Sequence, residues 1–326
     1  MNITVLGAGA WGSAMATQLV TRHTVCLWAR DVQLVQALRS TGMNHRYLPS
    51  IPLPTDLRFE SDLAAALRGV DLIIVAVSTG GFREVLTQIK NLGVNVPVVW
   101  LCKGFEQASG LLAHQVFDQV LKGVDRGVLS GPSFSLEVAH NQPTALTLAS
   151  DNTGFVAKMA PLLHGGSMRV YSSEDLIGVE VAGAVKNVIA IATGVCDGLQ
   201  LGLNARAALM TRGLAEMTRL GVSLGGRAET FMGLAGVGDL ILTCTGDLSR
   251  NRQVGLGLAR GEALKTLLNQ LGHVAEGVST SRIVLQWATK NNVEMPITQA
   301  VCRVLDAPDS ARQVARELLD RHQRME

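Results

Sequence analysis

Residues 2–12 read Asn-Ile-Thr-Val-Leu-Gly-Ala-Gly-Ala-Trp-Gly, an apolar, β-branched run that ends in three glycines spaced G-x-G-x-x-G. After Gly7, Gly9 and Gly12 come the small and apolar residues 13–20, which read as a helix. Strand, glycine turn and helix in that order constrain the fold more than any other stretch of the chain. In such a unit the first glycine permits the tight turn and the second lets a pyrophosphate approach the backbone. The third lets the helix lie close to the strand. The free N–H groups and positive dipole end of the helix would face the phosphates. The spacing alone is a weak signal, and its strand–turn–helix setting gives it weight.

At 326 residues the chain exceeds the size one core usually serves, so two domains are expected. A net charge of +2 with scattered basic residues offers no face for nucleic acid or an anionic membrane. The five cysteines form no C-x-x-C pair and leave one over, which suits a reducing compartment. The N-terminus enters directly on the glycine unit without the basic start of a signal peptide, and the apolar run 72–77 is too short to span a bilayer. A cytoplasmic protein without a membrane span is expected. The seven histidines show no metal-ligand spacing, so no metal is expected.

Strand character recurs at 24–28, 70–77, 96–101, 128–130, 144–149 and 168–171, which predicts an α/β doubly wound sheet over the first 175 residues or so. The second strand ends Trp28-Ala29-Arg30-Asp31. In this fold an acid about 20 residues past the glycines favours NAD, and an Arg there accommodates the 2′-phosphate of NADP. Arg30 points to NADP(H), while Asp31 can begin the next helix as its cap; a solvated surface role for Arg30 stays open. Tyr47, in a Pro-bounded loop, can cover the cofactor or simply pack. Lys103 follows the strand at 96–101 and emerges at the sheet edge that carries the glycine loop, where ligands bind in open α/β sheets. Gly131 and Ser133, in the turn after 128–130, can offer an N–H and a hydroxyl to a polar ligand, or serve as turn and cap residues.

Beyond Asp175 the patterns are helical, and the predicted division is a dinucleotide-binding domain over 1–180 and a helical substrate-binding domain over 181–326. Between Glu180 and Asp197, Lys186 is the only charge on an apolar helix. An ammonium there is costly unless it has a partner or a polar cavity, or snorkels to solvent. Held in a dry site, it suits proton transfer in a carbinol–carbonyl interconversion. Asp239 follows three glycines and can be a helix N-cap, a carboxylate close to Lys186, or both. Ser249-Arg250-Asn251-Arg252 reads as a helix start whose hydroxyl, first-turn N–H groups and guanidinium make an anion site; a capped surface helix is the plainer alternative. Glu276 precedes a glycine at another helix start and could receive ribose or amide hydrogen bonds.

Seven motifs in order complete the pattern: 7–12 (Gly-Ala-Gly-Ala-Trp-Gly), 102–106 (Cys-Lys-Gly-Phe-Glu), 131–137 (Gly-Pro-Ser-Phe-Ser-Leu-Glu), 183–188 (Gly-Ala-Val-Lys-Asn-Val), 238–244 (Gly-Asp-Leu-Ile-Leu-Thr-Cys), 249–252 (Ser-Arg-Asn-Arg) and 274–277 (Val-Ala-Glu-Gly). Together they resemble the motif set of bacterial NAD(P)-dependent glycerol-3-phosphate dehydrogenases. The resemblance implies a Rossmann-type N-terminal domain, an all-helical C-terminal domain, and reversible reduction of dihydroxyacetone phosphate to sn-glycerol 3-phosphate with NADP(H) or NAD(H), feeding phospholipid synthesis. It implies Lys186 as proton acceptor and Lys103, Gly131, Ser133, Lys186, Asp239, Ser249, Arg250 and Asn251 around the substrate. Along the cofactor it implies Ala10, Trp11, Arg30, Ser135, Val274 and Glu276, with Lys103 and Arg250 touching both ligands. Ala10 stands where a polar residue is frequent, and Cys102 where Thr is frequent. The expected partner is a phosphorylated small molecule, with no nucleic acid, and a homodimer is one assembly open to such a chain. A two-domain reductase of hydroxyacids or ketopantoate, and a non-catalytic NADP(H) sensor, are the competing readings.

Overall fold

The structure, a computed structural model, describes residues 1–271 and 275–319. The chain forms two compact units, Met1–Glu106 with Leu111–Leu176 and Gln107–Gly110 with Ile177–Glu326. In the first unit the strands are β1 (Asn2–Leu6), β2 (Thr24–Trp28), β3 (Met43–Asn44), β4 (Leu48–Pro52), β5 (Arg58–Glu60), β6 (Leu72–Val75), β7 (Val98–Trp100), β8 (Arg126–Ser130), β9 (Thr144–Ala149) and β10 (Met168–Ser173). Eight of them make one sheet in the order β10-β9-β8-β7-β6-β1-β2-β5, while β3 and β4 form a separate hairpin. Within the eight-stranded sheet, pairing is parallel except between β8 and β9.

Parallel strands need crossovers, and the segments between them supply helices that cover the sheet. Every residue of β6 is buried, as expected of a strand with helices on both faces. Strand order reverses direction between β1 and β6, so the crevice past their C-terminal ends is the position where this architecture binds ligands. The turns after β1 and β6, residues 7–9 and 76–78, meet there.

The second unit is helical among the described residues. Its first helix, Leu176–Gly198, runs for 23 residues and is long and apolar enough to cross a bilayer, yet 89% of its most apolar stretch is buried inside the protein. Helix Arg250–Ala259 lies against it at backbone distance. A Cβ on Gly255 would stand 2.1 Å from the Ile191 carbonyl oxygen, and one on Gly194 2.1 Å from that of Arg252. Arg252 then clamps the pair from the side, its Nε and Nη2 on Asp197 Oδ2 at 2.9 and 2.7 Å. Small residues allow the close approach, and a half-buried ion pair fixes the register.

Candidate active site

In the first unit Gly7 has φ +116°, and its N–H donates to the Trp28 carbonyl at 2.9 Å. A Cβ on Gly12 would stand 1.9 Å from the Gly7 carbonyl oxygen, so helix Ala10–Leu19 is seated directly on the turn. Gly9 is the N-cap of that helix and makes no side-chain cap bond, and a Cβ there would meet nothing within 4 Å. That open space lies in front of the first-turn N–H groups of Ala10, Trp11 and Gly12, which have no partner within a helix. The cradle fits a dinucleotide pyrophosphate. Trp11 is half-buried and packs against two apolar clusters of this unit.

Asn44, fully buried, locks the cradle. Its Nδ2 donates to the Ala8 carbonyl at 3.0 Å and to Ser13 Oγ at 2.8 Å, and its Oδ1 accepts from the Tyr47 N–H at 3.2 Å. Tyr47 is thereby tied to the glycine loop, with the Arg46 guanidinium 5.1 Å from its ring centroid. Past the end of β2, Asp31 caps helix Val32–Thr41 by accepting from the Gln33 and Leu34 N–H groups at 3.0 and 3.1 Å. Its other oxygen is 3.7 Å from Arg46. The acid is therefore spent on the helix and on a cation. Arg30 stays 80% exposed, 3.6 Å from Glu84.

At the same edge of the sheet Lys103 Nζ donates to the Gly131 carbonyl at 3.1 Å, and Ser133 Oγ donates to that oxygen at 2.9 Å. Lys103, Gly131 and Ser133 thus share one point. Ser135 opens the short helix Ser135–Ala139 just beyond.

In the second unit Lys186 is 6% exposed, so its ammonium does not snorkel to solvent. Nζ donates to Asp239 Oδ1 at 2.5 Å and to Thr243 Oγ1 at 2.8 Å. The Thr243 hydroxyl donates in turn to the Asp239 carbonyl at 2.6 Å. Asp239 is 1% exposed and begins helix Asp239–Thr245 straight after a π-helical turn, Leu234–Gly238. Gly238 occupies the N-cap position, so the Asp239 carboxylate serves Lys186 and does not cap the helix. The turn is possible because Gly236 has no side chain: a Cβ would stand 2.1 Å from the Phe231 carbonyl oxygen. A short π turn is a common device for presenting a functional side chain.

Ser249 is the N-cap of helix Arg250–Ala259, its Oγ accepting from the Arg252 N–H at 3.3 Å. Arg250 follows; desolvation lowers the pKa of its guanidinium, and the Glu276 carboxylate offsets part of that. Asn251 is buried; its Nδ2 donates to Asn187 Oδ1 and its Oδ1 accepts from the Gly277 N–H, both at 3.0 Å. Lys186 and Asn187, Asn251, and Glu276 with Gly277 are therefore joined across three helices. Val274 lies outside the described residues.

Two family profiles match the chain: that of the NAD-dependent glycerol-3-phosphate dehydrogenase N-terminus over residues 2–156, and that of its C-terminus over 175–316. The chain belongs to the NAD-dependent glycerol-3-phosphate dehydrogenase family. Proteins named glycerol-3-phosphate dehydrogenase [NAD(P)+] are similar along their whole length: 53% identity with that of Dechloromonas aromatica over 98% of both chains, and 52% with that of Thiobacillus denitrificans over all of both. The crystal structure of glycerol-3-phosphate dehydrogenase from Coxiella burnetii superposes with a TM-score of 0.93 at 44% identity, over 98% of this chain and 99% of that one. The Bacillus subtilis protein titled a probable 2-dehydropantoate 2-reductase shares only the fold, at 13% identity and TM-score 0.57.

Within this dehydrogenase framework, sequence reasoning missed Asn44 and Thr243, and gave Asn187 no role beyond being polar. Thr243 carries a visible signal, its i, i+4 spacing from Asp239 on an otherwise apolar helix. Asn44 carries none, because two of its three partners, Ala8 and Ser13, lie in the glycine unit far back in the chain. Arg252, read with the anion motif, turns instead onto Asp197 and Asp247.

Proposed function

We propose that this chain interconverts dihydroxyacetone phosphate and sn-glycerol 3-phosphate, with Lys186 as the group that moves the proton. The single observation that carries the reading is the buried Lys186–Asp239–Thr243 cluster. Bound NAD(P)H supplies the hydride. As negative charge develops on the carbonyl oxygen, the Lys186 ammonium stabilises it and gives up a proton; in the reverse direction the amine takes the hydroxyl proton. Asp239 and Thr243 each take one N–H of the ammonium and so fix the direction in which it points. Asp239 can also accept from a substrate hydroxyl.

The substrate phosphate belongs at Ser249, Arg250 and Asn251, where a capped helix start, a guanidinium and first-turn N–H groups favour an anion. Lys103 with Gly131 and Ser133 offers a second polar contact. On the cofactor side, Gly7, Gly9 and Gly12 with Ala10 and Trp11 would hold the pyrophosphate, and Tyr47, Ser135 and Glu276 would flank the dinucleotide. Arg30 would meet a 2′-phosphate, since Asp31 is occupied by its own helix. The five cysteines are buried and none is in a disulfide, which supports a reducing, cytoplasmic setting, where the product would feed phospholipid synthesis.

The test is NADPH oxidation followed spectrophotometrically with dihydroxyacetone phosphate and with ketopantoate in parallel. Turnover of the phosphorylated ketone alone is expected. Turnover of ketopantoate alone would move the chain to the carboxylate reductases, and oxidation with neither would favour a nucleotide sensor.

A further inference from the structure

Glu106 is only 8% exposed, yet it carries a carboxylate three residues beyond Lys103. Both of its oxygens are held by one side chain: Arg83 Nε donates to Oε1 and Nη2 to Oε2, each at 2.7 Å. Such a fork fixes direction as well as distance. The backbone around Glu106 is closed too. Its N–H donates to the Leu111 carbonyl at 2.8 Å, Phe105 bridges to Leu112, and the Phe105 ring is buried. Arg83 projects from helix Thr79–Asn91, which begins just after β6, while Lys103 and Glu106 lie in the loop after β7. Lys103 then reaches Gly131, in the loop after β8. Arg83, Glu106 and Lys103 thus link three consecutive strand-end loops along one edge of the sheet.

We infer that Arg83 and Glu106 are positioning residues that hold the Lys103 loop at the geometry its ligand contact needs. The inference rests on the reading of Lys103 as a ligand contact. The pair acts by fixing the backbone from which Lys103 extends. A lysine in place of Arg83 keeps the charge but loses the fork, so the loop keeps its ion pair and loses its direction.

A double-mutant comparison separates positioning from general stability. Arg83→Lys is expected to lower kcat/KM for dihydroxyacetone phosphate by about tenfold while the melting temperature moves only a few degrees. In a Lys103→Ala background the same change should cost less than about twofold, because the group it positions is gone. Equal losses in both backgrounds would overturn the inference, whatever their size. If Arg83→Lys does not fold, Glu106→Gln, which leaves a neutral acceptor for the same guanidinium, serves the same comparison. Lys103→Ala at wild-type kcat/KM would instead remove the reading of Lys103 itself, so the two failures are distinguishable.

Discussion

Lys186 gave itself away in the sequence because no other charge stands between Glu180 and Asp197, and a lone ammonium on an apolar helix must be paired or exposed. The structure pairs it. Thr243→Val keeps shape and removes an acceptor from Nζ, so kcat should fall about tenfold or more with little change in cofactor affinity. An unchanged kcat would mean that the hydroxyl does not orient the amine. At the other end of the account, Arg30→Ala should weaken NADPH by about tenfold and NADH hardly at all, read by fluorescence titration. Equal losses would show that Arg30 does not meet the 2′-phosphate. The sequence set Arg30 towards NADP(H) and offered Asp31 as the cap of the next helix, with a solvated surface role for Arg30 left open. The Asp31 carboxylate does accept two N–H groups of that helix. Residues such as Asn44 stay silent in a sequence because their meaning lies in partners brought together by folding.

The long elements were legible and the short ones were not. β2 and β9 fall where β-branched runs placed them, whereas the β3–β4 hairpin sits about a stretch that reads as polar loop and β5, three residues long, is too short to announce itself. The antiparallel pairing of β8 and β9 also carries no local signal. The helix contacts make sharper tests. Gly12→Ala would drive a methyl into the Gly7 carbonyl and should cost at least about 3 kcal/mol, with NADPH binding lost in whatever protein folds. In the helical unit, Glu216 reaches from helix Leu203–Ser223 to the start of helix Pro296–Asp306, accepting from the Ile297 N–H at 2.6 Å and the Thr298 N–H at 3.2 Å. Burial pushes its carboxyl up from 4.5 to about 7 in spite of those bonds. A raised value means that the folded chain keeps a proton the unfolded chain gives up. The contribution is complete below about pH 4.5 and is lost as the pH rises through 7, on the order of 3 kcal/mol in all. Glu216→Gln should flatten the dependence of unfolding free energy on pH across that window; a slope identical to the wild type would contradict the assignment.

At the scale of the whole chain the two units carry separable tasks. The sheet unit supplies a glycine cradle and the helical unit a buried amine, so damage to one should spare the equilibrium property of the other. The most direct measurement is the turnover of dihydroxyacetone phosphate by Lys186→Ala, followed by NADPH oxidation, with the NADPH dissociation constant of the same protein measured by fluorescence. The account predicts a fall in kcat of about 10²–10⁴, the range expected for loss of a proton-transfer group, and an NADPH affinity within about threefold of the wild type. Wild-type turnover without this amine would contradict it.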